Sequence, residues 1–207
     1  MGRTTIILAG DYSEAFKCDK GLIHLANKPM ITHVINRVQN IVDEIIVCLK
    51  DNSRINLYSQ VLSKGSRVIV DDKNFPECLL RGAYTGLLNA SGDYSVILPC
   101  NTPFVSERFV DLLFTIAVDV NASAPRWPND YTEPLQAVYR TKAALKTAKK
   151  SLEESNYAMQ AMITLLKNIR YIFTLVVKEI DSRMHTFINI NTPLDLKRAE
   201  FLIRRGL

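Results

Sequence analysis

The sequence has 207 residues, of which 47% are hydrophobic and 23% are charged. This length and composition predict one globular domain that spans residues 1–207, and they exclude a chain that is mostly disordered. The formal net charge of +5 favours anionic partners such as nucleotides and phosphorylated metabolites.

Several classes of site are not expected from the residue pattern. The four cysteines include no C-x-x-C pair and the histidines are scattered, which argues against zinc; Cys48 and Cys100 are expected to be reduced core residues. Basic residues are not interleaved with aromatic ones, so we expect no nucleic-acid partner. No apolar run approaches the roughly 18 residues of a membrane span and no signal peptide is evident, so we expect a soluble, cytoplasmic protein without membrane contact.

The first element is expected to be a buried strand over residues 4–8, which are uncharged and of strand-forming type. It runs into Gly10 and then into a polar stretch that ends in Asp19 and Lys20. Glycine at the carboxyl end of a strand lets backbone N–H groups approach a phosphate, and Lys20 offers a positive charge across the loop. The same pattern is also that of a structural turn, so these residues alone leave both interpretations open.

Strands and helices are predicted to alternate through residue 118. The apolar spacing predicts strands over residues 44–49, 67–70 and 94–98, and helices over residues 30–40, 55–63, 77–90 and 107–118. Such alternation is typical of a parallel sheet with right-handed crossovers, in which ligands bind outside the carboxyl ends of the strands. Gly10, Asp71 and Asn101 each follow a strand, so we expect them to converge on one crevice.

Two glycines, Gly82 and Gly86, lie four residues apart in the predicted helix 77–90. Glycine lets a neighbouring group come closer to the backbone than any other residue does. The spacing therefore favours either close packing of the helix on the sheet or approach of the backbone to a ligand, and the sequence does not choose between them.

The second half of the chain is less regular. Strands are predicted over residues 118–124, 133–139, 171–177 and 187–190, a loop over residues 125–131, and helices over residues 141–151 and 157–166. Proline cannot donate a ladder hydrogen bond, so Pro134 predicts that the strand at 133–139 lies at an edge of the sheet. Residues 191–193 are predicted to open a last helix.

Four segments together resemble a known family. They are Leu-Ala-Gly at 8–10 with Asp-Lys at 19–20, Leu-Pro-Cys-Asn-Thr-Pro-Phe at 98–104, Glu-Pro-Leu-Gln-Ala-Val-Tyr at 133–139, and Phe-Ile-Asn-Ile-Asn-Thr-Pro-Leu-Asp at 187–195. In this order and spacing the sequence resembles the molybdenum cofactor guanylyltransferases, the MobA-like nucleotidyltransferases. The resemblance implies an α/β, three-layer Rossmann-like nucleotidyltransferase fold with a mostly parallel, mixed central sheet.

The resemblance also implies a reaction, in which GTP and molybdopterin give the guanine dinucleotide cofactor and pyrophosphate with the help of Mg²⁺. It implies transient contacts with other proteins of molybdenum cofactor assembly. Of the residues, Lys20 and Asn101 are implied to be catalytic, and Asn189 and Asn191 to lie on the acceptor, or pterin, side. The residues implied to bind the nucleotide are Leu8, Ala9, Gly10, Lys20, Asp71 and Asn101, with Asp71 on the base, whose N1–H and amino group a carboxylate can accept.

The sequence departs from the family pattern at working positions. Asp11 and Lys17 replace two glycines of the first loop, Ala15 replaces an arginine that clamps phosphate, and Asn101 replaces the metal-binding aspartate. Asparagine offers Mg²⁺ only a neutral oxygen, so we expect a degenerate metal site at Asn101, with Asp11 as the substitute ligand. Two hypotheses follow: an enzyme with an altered site, or a nucleotide- or pterin-binding relative without turnover. A cytidylyltransferase or another nucleotidyltransferase of the same fold is the alternative within the enzyme class.

Overall fold

A computed structural model describes residues 1–62 and 65–206, and in these residues seven strands form one mixed sheet. The strands are β1 (Arg3–Ala9), β2 (Glu44–Leu49), β3 (Ser66–Val70), β4 (Tyr94–Pro99), β5 (Ala122–Arg126), β6 (Ala137–Arg140) and β7 (Ile169–Phe173). They lie side by side in the order β7-β5-β6-β4-β1-β2-β3. Among these strands only β6 runs antiparallel to its neighbours, β4 and β5. The prediction of a mostly parallel, mixed sheet is confirmed.

Helices cover both faces of this sheet. They are α1 (Met30–Val38), α2 (Ile55–Ser59), α3 (Leu79–Asn89), α4 (Glu107–Ile116), α5 (Thr141–Glu153), α6 (Met159–Leu165), α7 (Thr174–Ile180) and α8 (Pro193–Arg204). On one face Ile7 of β1 belongs to a buried cluster with residues of α1 and α4, and on the other face Ile6 belongs to a cluster with residues of α3, α5 and α6. Because successive strand residues point to opposite faces, this arrangement gives the three layers that the resemblance implied.

The elements of the first half agree with the sequence prediction. Strands β1, β2, β3 and β4 and helices α1, α3 and α4 all begin and end within two residues of the predicted bounds. Helix α2 ends earlier than predicted, at Ser59, and the predicted end at residue 63 lies outside the described residues. Cys48 and Cys100 are buried and free, as expected of core cysteines.

One of the two glycines of α3 is required by close packing on the sheet. A Cβ atom on Gly86 would lie 2.3 Å from Ile6 Cγ2 and 3.0 Å from Cys48 Sγ, whereas one on Gly82 would lie 3.4 Å from Leu8 Cδ2 and from both carboxylate oxygens of Asp71. The packing interpretation is therefore confirmed for Gly86, and at Gly82 the choice between packing and approach to a ligand stays a prediction. Gly82 also brings the backbone of α3 next to Asp71, a residue of the predicted site.

Several predictions for the second half are wrong. The strand predicted over residues 133–139 is β6, which begins only at Ala137 and lies in the interior of the sheet between β4 and β5. Pro134 precedes the strand, so no edge position is required. Strand β5 lies at Ala122–Arg126, later than the predicted 118–124, and takes up the start of the predicted loop.

Two further strand predictions fail near the carboxyl end. The apolar run predicted as a strand over residues 171–177 divides into the end of β7, at Phe173, and the start of α7, at Thr174. Residues 187–190 do not form a strand: a 3₁₀ turn covers His185–Phe187, and the N–H of Ile190 donates to the carbonyl oxygen of Asn101 at 3.0 Å. The last helix does begin at Pro193, with Thr192 and Asp195 forming a capping box.

No helix within residues 1–62 and 65–206 combines the length and the apolar character that a membrane crossing requires.

Candidate functional site

The predicted site residues lie where neighbouring strands end. Register pairs Ala9 of β1 with Leu49 of β2, and Leu49 with Val70 of β3, so the carboxyl ends of these strands are level. The Asp71 N–H donates to the carbonyl oxygen of Leu49 at 2.8 Å, and the Cys100 N–H donates to that of Leu8 at 3.1 Å. The prediction that Gly10, Asp71 and Asn101 each follow a strand is confirmed, and their convergence on one crevice stays a prediction.

Gly10 makes the turn out of β1, and its conformation demands glycine. Its φ is +85°, and a Cβ atom would lie 3.0 Å from the backbone nitrogen of Lys50. Its own N–H donates to the hydroxyl of Tyr58, a fully buried residue of α2, at 3.2 Å. This hydrogen bond uses the donor that the sequence had suggested for a phosphate, so a phosphate has to be bound by other groups of the loop.

The loop that follows is a short hairpin. Two-residue strands at Tyr12–Ser13 and Cys18–Asp19 pair antiparallel, and the Lys20 N–H donates to the carbonyl oxygen of Asp11 at 2.8 Å. Asp19 is buried and forms an ion pair with Arg54, which precedes α2. The adjacent Lys20 is half-buried, and in the part of the chain that the structure describes its ammonium group forms no ion pair. The hairpin thus presents Lys20 as an unneutralised cation.

Lys50, which follows β2, joins two carboxylates across the strand ends. Its Nζ lies 2.5 Å from Asp11 Oδ1 and 2.6 Å from Glu77 Oε1. Burial by itself would lower the pKa of Lys50, but the hydrogen bonds to Asp11 and Glu77 outweigh that effect and raise the pKa. Lys50 is therefore a charged ammonium that neutralises Asp11 and competes with any metal ion for its carboxylate. The sequence prediction did not include Lys50.

Asp71 is the buried acid of this edge. It is only 6% exposed, and its Oδ1 has no hydrogen-bond partner among the residues that the structure describes. Burial raises its pKa to about 6, although the positive charges of Arg81 and Lys50 act in the opposite direction. Arg81 Nε lies 3.6 Å from Asp71 Oδ2. The arrangement keeps a carboxylate with an unused acceptor atom beside the backbone of Gly82.

The carboxyl-terminal motif meets the strand edge at Asn101. The Asn101 side-chain Nδ2 donates to the carbonyl oxygen of Ile190 at 3.2 Å and to Asn191 Oδ1 at 3.0 Å. The structure therefore brings together Asn101 and Asn191, two residues predicted from separate motifs. Asn189 is exposed, and its Nδ2 donates to the carbonyl oxygen of Phe187 at 3.3 Å, so it contacts its own segment.

The donor set for a metal ion is sparse. Across residues 1–62 and 65–206 no three side chains of His, Cys, Asp or Glu cluster in a way that could hold an ion. Since both hydrogen bonds of the Asn101 side chain are made by Nδ2, its Oδ1 is the atom that could act as a ligand. One neutral oxygen is a weak site unless the triphosphate of a nucleotide supplies the remaining ligands.

An apolar groove lies beside the carboxyl-terminal motif, between the 3₁₀ turn and α8. Its volume is about 610 Å³. It is lined by His185, Ile188, Asp195, Lys197, Arg198, Ala199, Phe201 and Leu202. None of the residues at the strand ends lines it, so the groove adjoins the predicted acceptor side and does not belong to the nucleotide side.

Comparison with known proteins finds relatives in the family that the sequence resembles. A sequence model of the MobA-like NTP transferase domain matches residues 5–167. The chain is 29% identical to a probable molybdenum cofactor guanylyltransferase of Methanosarcina mazei, over 94% of this chain and 88% of that protein. It is 30% identical to a protein of the same name from Thermococcus gammatolerans, over 92% and 95% of the two chains.

A solved structure has the same fold. The crystal structure of molybdopterin-guanine dinucleotide biosynthesis protein A from Archaeoglobus fulgidus superposes with a TM-score of 0.81 at 22% sequence identity. The match covers 98% of this chain and 99% of that one. It confirms the predicted nucleotidyltransferase fold along the whole chain.

Proposed function

Because the chain belongs to the family of MobA-like NTP transferase domains, we propose that it transfers GMP from GTP to molybdopterin and releases pyrophosphate. Relatives of nearly the same length carry the name molybdenum cofactor guanylyltransferase, which supports this choice of reaction. In the same proposal the protein works in the cytoplasm and contacts other proteins of molybdenum cofactor assembly only transiently.

The observation that carries the choice of GTP is the buried carboxylate of Asp71. Guanine presents two adjacent donors, N1–H and the amino group, and a carboxylate can accept from both. Asp71 lies at the end of β3, and among the described residues its Oδ1 has no hydrogen-bond partner. The backbone of Gly82 is next to it, since a Cβ atom there would lie 3.4 Å from both carboxylate oxygens. A buried acceptor without a donor costs free energy, and a guanine base would satisfy it.

The reaction requires that negative charge is compensated and that the two substrates are positioned, and it requires no nucleophilic side chain. An oxygen of the terminal phosphate of molybdopterin forms a bond to the α-phosphorus of GTP, and the bond from that phosphorus to the bridging oxygen of the leaving group breaks, which releases pyrophosphate. Two anions approach each other in this step, so a fixed cation lowers the barrier. In the proposal Lys20 is that cation, at the end of the hairpin that follows Leu8, Ala9 and Gly10.

A magnesium ion, when bound, neutralises phosphate charge. Asn101 Oδ1 fits one coordination position, because the amide nitrogen is held by Ile190 and Asn191 and the oxygen is left over. Asp11 fits less well, since Lys50 occupies its Oδ1 at 2.5 Å. The proposal therefore assigns Asn101 to the metal, with phosphate and water oxygens as the other ligands, and assigns Asp11 to Lys50.

The acceptor belongs on the side of the carboxyl-terminal motif. Asn191 touches Asn101 and so stands between the strand edge and α8, and Asn189 is exposed in the same segment. The apolar groove lies next to this segment, and the cationic side chains of Lys197 and Arg198 in its lining support placing the anionic acceptor on this side.

A second candidate function is binding of nucleotide or pterin without turnover. The observation that favours it is the Asp11–Lys50 ion pair together with Asn101, since Lys50 competes with a metal ion for the carboxylate of Asp11 and Asn101 offers only a neutral oxygen. Nucleotide binding at Asp71 would be retained in this case, and only catalysis would be lost.

A turnover experiment decides between the two. The purified protein is mixed with molybdopterin, Mg²⁺ and GTP labelled at the α-phosphate, and labelled dinucleotide and pyrophosphate are measured. We expect both products in equal amounts, and a loss of about 100-fold or more in rate for Lys20→Met. Lys28→Met, at an exposed lysine of the next hairpin, is the matched control and should keep the rate. GTP binding without product from any nucleoside triphosphate would establish the binding-only function instead.

A further inference from the structure

Arg81 is an unusual residue for its position in the fold. It lies in the first turn of α3 and is only 7% exposed, although arginine is seldom buried unless it is fully paired. Its Nη1 donates to the carbonyl oxygen of Phe75 at 3.2 Å, and its backbone N–H donates to Cys78 Sγ at 3.3 Å. Within residues 1–62 and 65–206 its Nε has no hydrogen-bond partner. The guanidinium is thus anchored on one side and unsatisfied on the other.

The unsatisfied side of Arg81 faces Asp71. The two groups lie 3.6 Å apart, from Nε to Oδ2, which is an ion pair without a hydrogen bond. In the described part of the chain Asp71 Oδ1 also lacks a partner, so a buried donor and a buried acceptor lie close together with neither hydrogen-bonded. A purely structural arginine–carboxylate pair would be expected to close into two parallel hydrogen bonds. The open geometry is what a site for a third, planar group requires.

Guanine carries the complementary pattern on one edge. Its N1–H donor lies directly between the amino group, a second donor, and O6, an acceptor. A carboxylate that accepts from N1–H therefore has the O6 atom beside it, where a neighbouring guanidinium can donate. Adenine and cytosine present an amino group in place of O6, and two donors would then face each other.

We propose that Arg81 determines base specificity by donating to O6 of the guanine that Asp71 holds. This inference rests on the proposed function, since it requires GTP to bind with its base at Asp71. It assigns to Arg81 the rejection of ATP and CTP. Uracil also has an N–H donor beside a carbonyl oxygen, so rejection of UTP must come from the second donor of guanine and from ring size.

The test uses the affinity of the full chain for GTP and for 6-thio-GTP, in which a sulfur atom, a weak acceptor, replaces O6. Isothermal titration should show that the native protein binds GTP about 10-fold or more tightly than 6-thio-GTP. Arg81→Met, which keeps the length of the side chain without its donors, should weaken GTP binding by about 10- to 100-fold and should bind the two nucleotides equally. Arg81→Lys should recover part of the preference. Arg37→Met, at an exposed arginine of α1, is the control and should behave as the native protein.

The outcomes separate this inference from the proposed function. If the native protein binds GTP and 6-thio-GTP with equal affinity, the role of Arg81 is overturned. This comparison needs no variant, so it can be made even if Arg81→Met does not fold. The role is also overturned if Arg81→Met loses affinity for GTP and 6-thio-GTP by the same factor, because a purely structural role would give that result. Failure of the native protein to bind GTP at all overturns the proposed function and this inference together.

Discussion

Replacement of Asp71 by asparagine should make the free protein more stable and the GTP complex weaker. Burial raises the pKa of Asp71 from an ordinary value of 3.8 to about 6, against the opposing charges of Arg81 and Lys50 and with a small contribution from Glu77. Since each pKa unit is worth about 1.4 kcal/mol, ionised Asp71 lowers the free energy of unfolding by about 3 kcal/mol at neutral pH. Asparagine has no charge to bury, so it removes this penalty.

The pH dependence of stability gives the sharper test. Between pH 3.8 and about 6 the native state holds a proton on Asp71 that the unfolded chain releases. The stabilisation by that proton is complete below this range and is lost as the pH rises through it. In urea unfolding, the free energy of unfolding of Asp71→Asn minus that of the native protein should therefore grow by about 2 to 3 kcal/mol from pH 4 to pH 7.5.

Two results would refute this reasoning about Asp71. If the free energies of unfolding of the native protein and the variant change in parallel with pH, the ionised carboxylate of Asp71 does not destabilise the folded state. If the variant is more stable but binds GTP with the same affinity as the native protein, the destabilisation by ionised Asp71 is unrelated to base recognition. Higher stability together with weaker GTP binding is the combination that the account requires.

Four further substitutions test other parts of the site. Tyr58→Phe leaves the buried N–H of Gly10 without its acceptor, so urea unfolding should show a loss of about 1–3 kcal/mol; an unchanged midpoint would contradict this. Gly86→Ala places a methyl group 2.3 Å from a side chain of β1, and by the same measurement it should lower the free energy of unfolding by about 1–3 kcal/mol. In Gly82→Ala the nearest atoms lie at 3.4 Å, so this variant should lose less stability and should instead bind GTP more weakly. Equal losses of stability in the two variants would be inconsistent with the packing. Asn101→Asp supplies an anionic oxygen and should tighten Mg²⁺ binding to the GTP complex by about 10-fold or more in a metal titration, and an unchanged metal affinity would remove this residue from the metal site.

The central strands could be predicted because their burial leaves a plain signal. Strands β1, β2 and β4 are covered on both faces, so their residues form continuous apolar runs that end at polar or turn residues. Once these strands are placed, the parallel arrangement sets Gly10, Asp71 and Asn101 at one edge. That much of the site followed from chain order alone.

The errors arise where an apolar run carries no periodicity. Residues 171–177 are uncharged and mostly aromatic or β-branched, and nothing local marks the change at Phe173 from β7 to α7, which depends on how the chain leaves the edge of the sheet. Residues 187–190 are mostly apolar, as a short strand would be, but the Ile190 N–H donates to the carbonyl oxygen of Asn101, a contact between distant parts of the chain. Tertiary hydrogen bonds of this kind have no sequence signature.

The site residues that were missed divide in the same way. Lys50 follows β2 just as Gly10 follows β1, so the rule that selected Gly10 could have selected it. Arg81 and Tyr58 had no such signal, because each acts through a partner far along the chain, Asp71 in one case and Gly10 in the other. A buried arginine in a helix becomes evident only when its ion pair is seen.

The most direct test of the central claim is the thermal stability of the native protein with GTP, CTP, ATP or UTP, each with and without Mg²⁺. A ligand at a hundred times its dissociation constant stabilises the folded state by about 2.7 kcal/mol, which appears as a higher melting temperature. We expect the increase in melting temperature to be largest with GTP and to grow when Mg²⁺ is added. No shift with any nucleotide, or a larger one with CTP, would contradict a guanine nucleotide site built from Asp71, Lys20 and Asn101.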